Sequence, residues 1–265
     1  MDTIEYWKRE WNNITDITPV TQISHHLDTS LPKDIPDGRY YNIDGFYLGD
    51  TRSWDGKKVF IADSVEKDDY EHVIGAYNIK ELNQNYITLR QMASTIYGES
   101  SAVYMNKMTE ELKCEMFAIA EVHLNNDKAY ADKSAKAQEY RRLLPLQINK
   151  SPFKRIANAA VIKALIDKGN FSHNAKQWDG AEQAMYDTDE LRVMHGGTHI
   201  ILHMNTQGWR ISDEHYAKWK ANIGAGFKAP QVKAAVMGDN KGKILLTSVA
   251  VYCKTIFWAY TNEEQ

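Results

Sequence analysis

The sequence predicts an α+β protein, a mainly helical body carrying a small antiparallel β element. Three stretches carry that prediction. From about Asn85 to Ile166 apolar residues recur at three- and four-residue spacing, the signature of helices with one buried face. From Asp37 to Ala62 aromatic and β-branched residues flank Asp-Gly pairs, which are strong short-turn signals. From Ile244 to Tyr260 the chain closes on an apolar run rich in β-branched and aromatic residues. The expected organisation is an N-terminal segment with short β-hairpins over 1–84 and a catalytic domain over 85–265.

In chain order, Ile4, Trp7 and Trp11 can line one face of a short helix, and Pro19, Pro32 and Pro36 mark a connector. Two short strands are expected around Asp44-Gly45, with a third at Lys58 to Ala62. Next, Leu89, Ala93, Ile96 and Tyr97 form the buried face of a helix that runs into Gly98-Glu99. Gly98 suits a helix end or a close backbone approach, having no β-carbon. Leu112, Met116, Ile119 and His123 share one side of a second helix. The charged stretch from Asp127 to Arg142 reads as an exposed helix or loop, and Pro145 and Pro152 bracket a break. Phe153 to Leu165 reads as a buried helix stopping at Gly169. Gln177-Trp178-Asp179-Gly180 reads as a loop, Thr198 to Met204 as a strand, and Tyr216 and Trp219 as part of a short helix. The closing run reads as a strand followed by a short helix.

The balance of 43% hydrophobic and 25% charged residues is that of a globular protein. A net charge of -3 gives no basic footprint for nucleic acid. No run reaches membrane-spanning length, so no membrane insertion is expected. Residues 1 to 25 show no apolar core after a basic start, so no signal peptide is evident. Cys114 and Cys253, the only cysteines, are expected as two buried thiols, with pairing an alternative in an oxidising compartment.

Chemistry concentrates in three places. Glu99 is delivered at the tip of a buried helix, where partial desolvation raises a carboxyl's pKa and suits a general acid. Asp179 is a candidate second carboxylate, with Gln177 placed to bond sugar hydroxyls and Trp178 to stack on a sugar face. In inverting glycosidases the two carboxyls stand roughly 6.5 to 9.5 Å apart. His195, His199 and His203 recur every four residues. A helix would set them on one face for zinc, but Gly196-Gly197 and the β-branched content favour a strand. There His199 and His203 lie about 13 Å apart, too far for one ion. Metal and cofactor are therefore expected to be absent.

The run Ile96-Tyr97-Gly98-Glu99-Ser100-Ser101, followed by Phe117-Ala118-Ile119-Ala120-Glu121-Val122-His123-Leu124-Asn125-Asn126, resembles the core of bacterial cell-wall hydrolases of the spore-cortex-lytic, lysozyme-like type. Gln177 to Gly180 and Lys254 to Trp258 are similar to segments of Gram-negative lysozyme-like secreted toxins. The chain departs from the usual Ala-Arg-Gly after the family glutamate, having Ser100-Ser101-Ala102. The resemblance implies a lysozyme-like body, Glu99 as catalytic acid, and peptidoglycan as substrate. Tyr97, Ser101, Gln177, Trp178, Thr198 and His199 would line the substrate groove, with Asp179 beside them. It also implies delivery by a route such as type VI secretion, action in the periplasm of a target cell, and a cognate immunity protein. Two rivals remain open: a non-catalytic wall-binding or phage-structural module, and a metal-dependent hydrolase built on His195, His199 and His203.

Overall fold

The structure, a computed structural model, describes residues 34–125, 132–166, 169–181, 206–227 and 244–261. It is a mixed α+β fold. The suggested helix at Ile4 to Trp11 and the expected strand at Thr198 to Met204 lie outside the described residues, as do Thr198 and His199 themselves.

The chain enters through β1 (Arg39–Tyr41), β2 (Tyr47–Asp50) and β3 (Val59–Ile61). These are the strands expected from the Asp-Gly signals, but the sheet is not purely antiparallel. β3 lies parallel to β1, and β6 (Lys80–Leu82) closes the order β2-β1-β3-β6. The excursion between β3 and β6 is the hairpin β4 (Ser64–Lys67) and β5 (Val73–Tyr77). One face of the sheet packs Tyr40 and Phe60 against Val73 and Ala76. The other puts Tyr41, Val59, Ile61 and Leu82 into the same core as the helices.

The turn joining β1 to β2 explains how the sheet docks. Asn42 Oδ1 accepts from the backbone N–H of Asp44 (3.1 Å) and of Phe46 (2.9 Å), an Asx arrangement that nucleates the turn. Gly45 sits at φ +80 with the backbone of the later helix so close that a β-carbon would meet Arg155 O at 2.3 Å.

Six α-helices occur among the described residues. α1 (Tyr86–Glu99) starts at Asn85, whose side chain accepts from Thr88 N, and stops where Ser100 turns extended. α2 (Glu110–Asn125) begins with Glu110 and Glu111, charges that suit a helix N-terminus. Within the charged stretch, α3 (Ala135–Arg142) is capped by Ser134 and ends on Arg141 and Arg142. The break between the prolines contains one short helix, α4 (Pro145–Asn149), with Pro145 in its first turn, where a missing N–H costs nothing. Pro152 likewise opens α5 (Pro152–Ile166). Every residue from Ile156 to Ile162 is buried, so α5 is surrounded, with α1 and α2 packed along it. Arg90 of α1 reaches across to α3, donating to the carbonyls of Arg141 and Leu143 at the helix end.

The C-terminal half forms a second sheet, β7-β10-β9-β8. Gln177 to Asp179 is strand β7, not a loop, because it finds a partner in β10 (Thr255–Thr261), with Trp178 opposite Phe257. The closing run is likewise two strands, β9 (Ile244–Tyr252) and β10, with no helix. A tight turn at Cys253-Lys254 explains that difference; Cys253 takes φ +47 there. β8 (Thr206–Arg210) runs parallel to β9. The sheet is covered on both sides. Tyr252 and Phe257 join the helical core, while Leu246, Val251, Ile256 and Trp258 pack with Trp219 of α6 (Asp213–Ile223).

Candidate active site

Glu99 is the last residue of α1 and is half-buried. The six residues before Gly98, Met92 to Tyr97, are all buried, so the helix that carries it cannot shift easily. The chain then turns through a 3-10 segment, Ser101–Val103, against the N-terminal half of α2.

What holds that turn is Glu115, a residue the sequence reading passed over. Its side chain is 0% exposed and its carboxylate accepts three hydrogen bonds. Ser101 N donates to Oε2 at 2.8 Å, while Ser101 Oγ (2.7 Å) and Thr255 Oγ1 (2.6 Å) both donate to Oε1. Burial pushes the Glu115 carboxyl up to about 7, against the downward pull of those donors. A signal existed. Glu115 is three residues after Leu112 and four before Ile119, so helical spacing sets a carboxylate on the apolar face.

The other expected site residues that lie among the described residues have internal partners. Tyr97 is 8% exposed, its ring against Tyr140 at 5.8 Å with Lys154 Nζ 5.5 Å from its centroid. Ser101, 5% exposed, gives its hydroxyl to Glu115 and accepts from Lys254 N at 3.3 Å. Gln177 Nε2 donates to Tyr260 OH at 2.9 Å. Trp178 packs on the helical core with its ring 6.5 Å from that of His123. His123 is itself buried, which lowers its pKa.

Asp179 is 3% exposed and stands opposite Ile256, so the two share a sheet face. That face is turned to α6, whereas Thr255, Trp178 and Phe257 face the helical body that carries Glu99. The structure thus brings Ser101, Glu115 and Thr255 together two residues beyond Glu99, and leaves Asp179 on the far side of the sheet. Along α2, the contacts at Glu115 and at His123 are separated by about 12 Å.

Two further polar clusters are structural. Glu121 accepts from Phe171 N (3.1 Å) and Ser172 N (2.8 Å), fastening the segment after α5 to α2. Ser248 Oγ lies 2.9 Å from His215 Nδ1 and accepts from Ser212 N at 3.2 Å, joining the start of α6 to β9. Both thiols are free; burial pushes Cys114 up to about 11 and raises Cys253 as well.

No family model, curated protein or solved structure matches this chain. Among the described residues no group of three or more His, Cys, Asp and Glu side chains is arranged to hold a metal ion, and no helix is long and apolar enough to cross a membrane. His195, His199 and His203 lie outside those residues.

Proposed function

We propose that this protein cleaves the glycan strands of peptidoglycan, with Glu99 as general acid. The observation that carries the reading is the setting of Glu99. It is a half-buried carboxyl ending a helix whose preceding residues are buried, followed by a turn tied to a fully buried carboxylate. A proton donor must be held still against its acceptor, and that setting supplies the rigidity.

In the proposed reaction the Glu99 carboxylic acid gives its proton to the glycosidic oxygen as the bond from that oxygen to the anomeric carbon breaks. The resulting carboxylate then takes a proton from the incoming hydroxyl. If that hydroxyl is water the enzyme is a muramidase. If it belongs to the sugar itself the product is an anhydro sugar, as in lytic transglycosylases. The sheet face taken by Asp179 favours the second route, which needs one carboxylate and assistance from the substrate's N-acetyl group. The resemblance of its motifs further suggests an antibacterial secreted effector, with a cognate immunity protein in the producing cell.

The test is muropeptide release from purified sacculi by wild type and Glu99→Gln, with and without chelator. Release falling by about a hundredfold or more in Glu99→Gln, and unchanged by chelator, supports the proposal. Products lighter by one water identify the lytic route. Full release by Glu99→Gln overturns the proposal. Sacculus binding without release by wild type points to a wall-binding module. Chelator-sensitive release that survives Glu99→Gln points to the histidines.

A further inference from the structure

We infer that Glu115 is a positioning residue for Glu99, joining the turn after Glu99 to the tip of the β9–β10 hairpin through Ser101 and Thr255. The inference rests on the glycosidase reading above for what Glu99 does, but the tie itself is a matter of geometry.

The hairpin tip is gripped from two sides. On one side α6 holds its carbonyls, with Asn222 Nδ2 donating to Cys253 O at 2.5 Å and Trp219 Nε1 donating to Lys254 O at 2.9 Å. On the other side Lys254 N donates to Ser101 Oγ, and Thr255 Oγ1 donates to Glu115. Glu115 then accepts from both the backbone and the hydroxyl of Ser101, two residues beyond Glu99. A carboxylate offers about four acceptor sites, so it can serve the turn and the hairpin at once. Thr255 alone would have no route to the turn, and Ser101 alone would reach only Lys254.

The groups facing Glu115 do not compete for its oxygens. Glu111, one helical turn earlier, is engaged by Lys218 Nζ at 3.1 Å and by Asn222 Nδ2 at 3.3 Å. The Lys254 ammonium lies 5.8 Å from the Tyr104 ring centroid. The Cys253 thiol is held neutral by burial. The tie therefore runs from α6 through the hairpin tip to the turn after Glu99, and its midpoint is one buried side chain that touches no solvent.

The experiment uses the full chain. Amide hydrogen exchange over residues 99–103 and release from sacculi are measured for wild type, Thr255→Val, Glu115→Ala, Glu115→Gln and Glu99→Gln. Thr255→Val keeps the shape of the side chain and removes only its donor, so it reads the tie even where Glu115→Ala fails to fold. Exchange at the Ser101 amide is expected to rise about tenfold in Thr255→Val and Glu115→Ala. Their maximal release rate should drop by about tenfold, with the half-saturating sacculus concentration unchanged. Glu115→Gln can still accept from Ser101 N and donate to the two hydroxyls, so it should restore both readouts to within about threefold of wild type. Unchanged exchange in Thr255→Val and Glu115→Ala overturns the inference even when Glu99→Gln is dead. Faster exchange in both variants beside a fully active Glu99→Gln would leave the tie standing and remove the glycosidase reading.

Discussion

Gly98 and Asp132 lie so close across the α1–α3 contact that a β-carbon on Gly98 would meet Asp132 Oδ2 at 2.0 Å. The carboxylate cannot swing clear cheaply. Its Oδ1 accepts from Ser134 N at 2.7 Å and its Oδ2 from Ser134 Oγ at 2.6 Å, and Ser134 is the cap of α3.

Two effects oppose each other when alanine replaces this glycine. Alanine is the better helix former by about 1 kcal/mol. Forcing the Asp132 carboxylate off the α3 cap is an overpacking cost of about 1–3 kcal/mol, larger where groups cannot give way. Gly98→Ala should therefore destabilise the protein in urea denaturation. In an Asp132→Ala background the closest obstacle is gone and only Ala137 Cβ and Ser134 Oγ remain, each at 3.0 Å, so the same substitution should cost less than it does in the wild-type background. An additive pair of effects would show that the contact does not set the cost.

Glu115 makes stability depend on pH in an unusual direction for a carboxylate. Its folded value of about 7 lies above the 4.5 of a free side chain, so the folded state binds the proton more tightly. Stability from this group is fully present below about pH 4.5, falls as pH rises towards 7, and levels off above. The change is about 3 kcal/mol across that window. Glu111 on the same helix adds to the upward shift, while Ser101 and Thr255 oppose it. Glu115→Gln removes the titration. The stability difference between wild type and this variant, measured by denaturation from pH 4.5 to 8, should move by that amount in favour of wild type at the acid end. A constant difference would show that the group stays charged throughout.

Tyr140 links the helical body to the first sheet. It is fully buried, its hydroxyl donates to Asn158 Oδ1 at 2.5 Å, and Asn158 Nδ2 donates to Gly45 O at 3.3 Å. Tyr140→Phe leaves the Asn158 oxygen buried without its donor, which costs about 1–3 kcal/mol. Equilibrium unfolding of the variant measures it. A loss below about 0.5 kcal/mol would mean that Asn158 finds another partner.

The sequence by itself determined the class of fold and most helices, because their apolar residues recur at a spacing only one backbone geometry can bury. It also determined the turn at Asp44-Gly45 and the placing of Glu99 at a helix tip. Gly98 suits both a helix end and a close approach, and the structure makes it both, the next-to-last residue of α1 and the point where Asp132 comes nearest. Only tertiary structure decided that Gln177 to Asp179 is a strand and that the chain ends in a hairpin, because β7 exists through its pairing with β10. It alone set β3 parallel to β1 and turned Asp179 to the α6 side of the sheet. Glu115 shows the division best. Its place on an apolar face is written in the spacing of α2, but the three donors that make such burial tolerable come from Ser101 and Thr255, 14 and 140 residues away, and only folding brings them together.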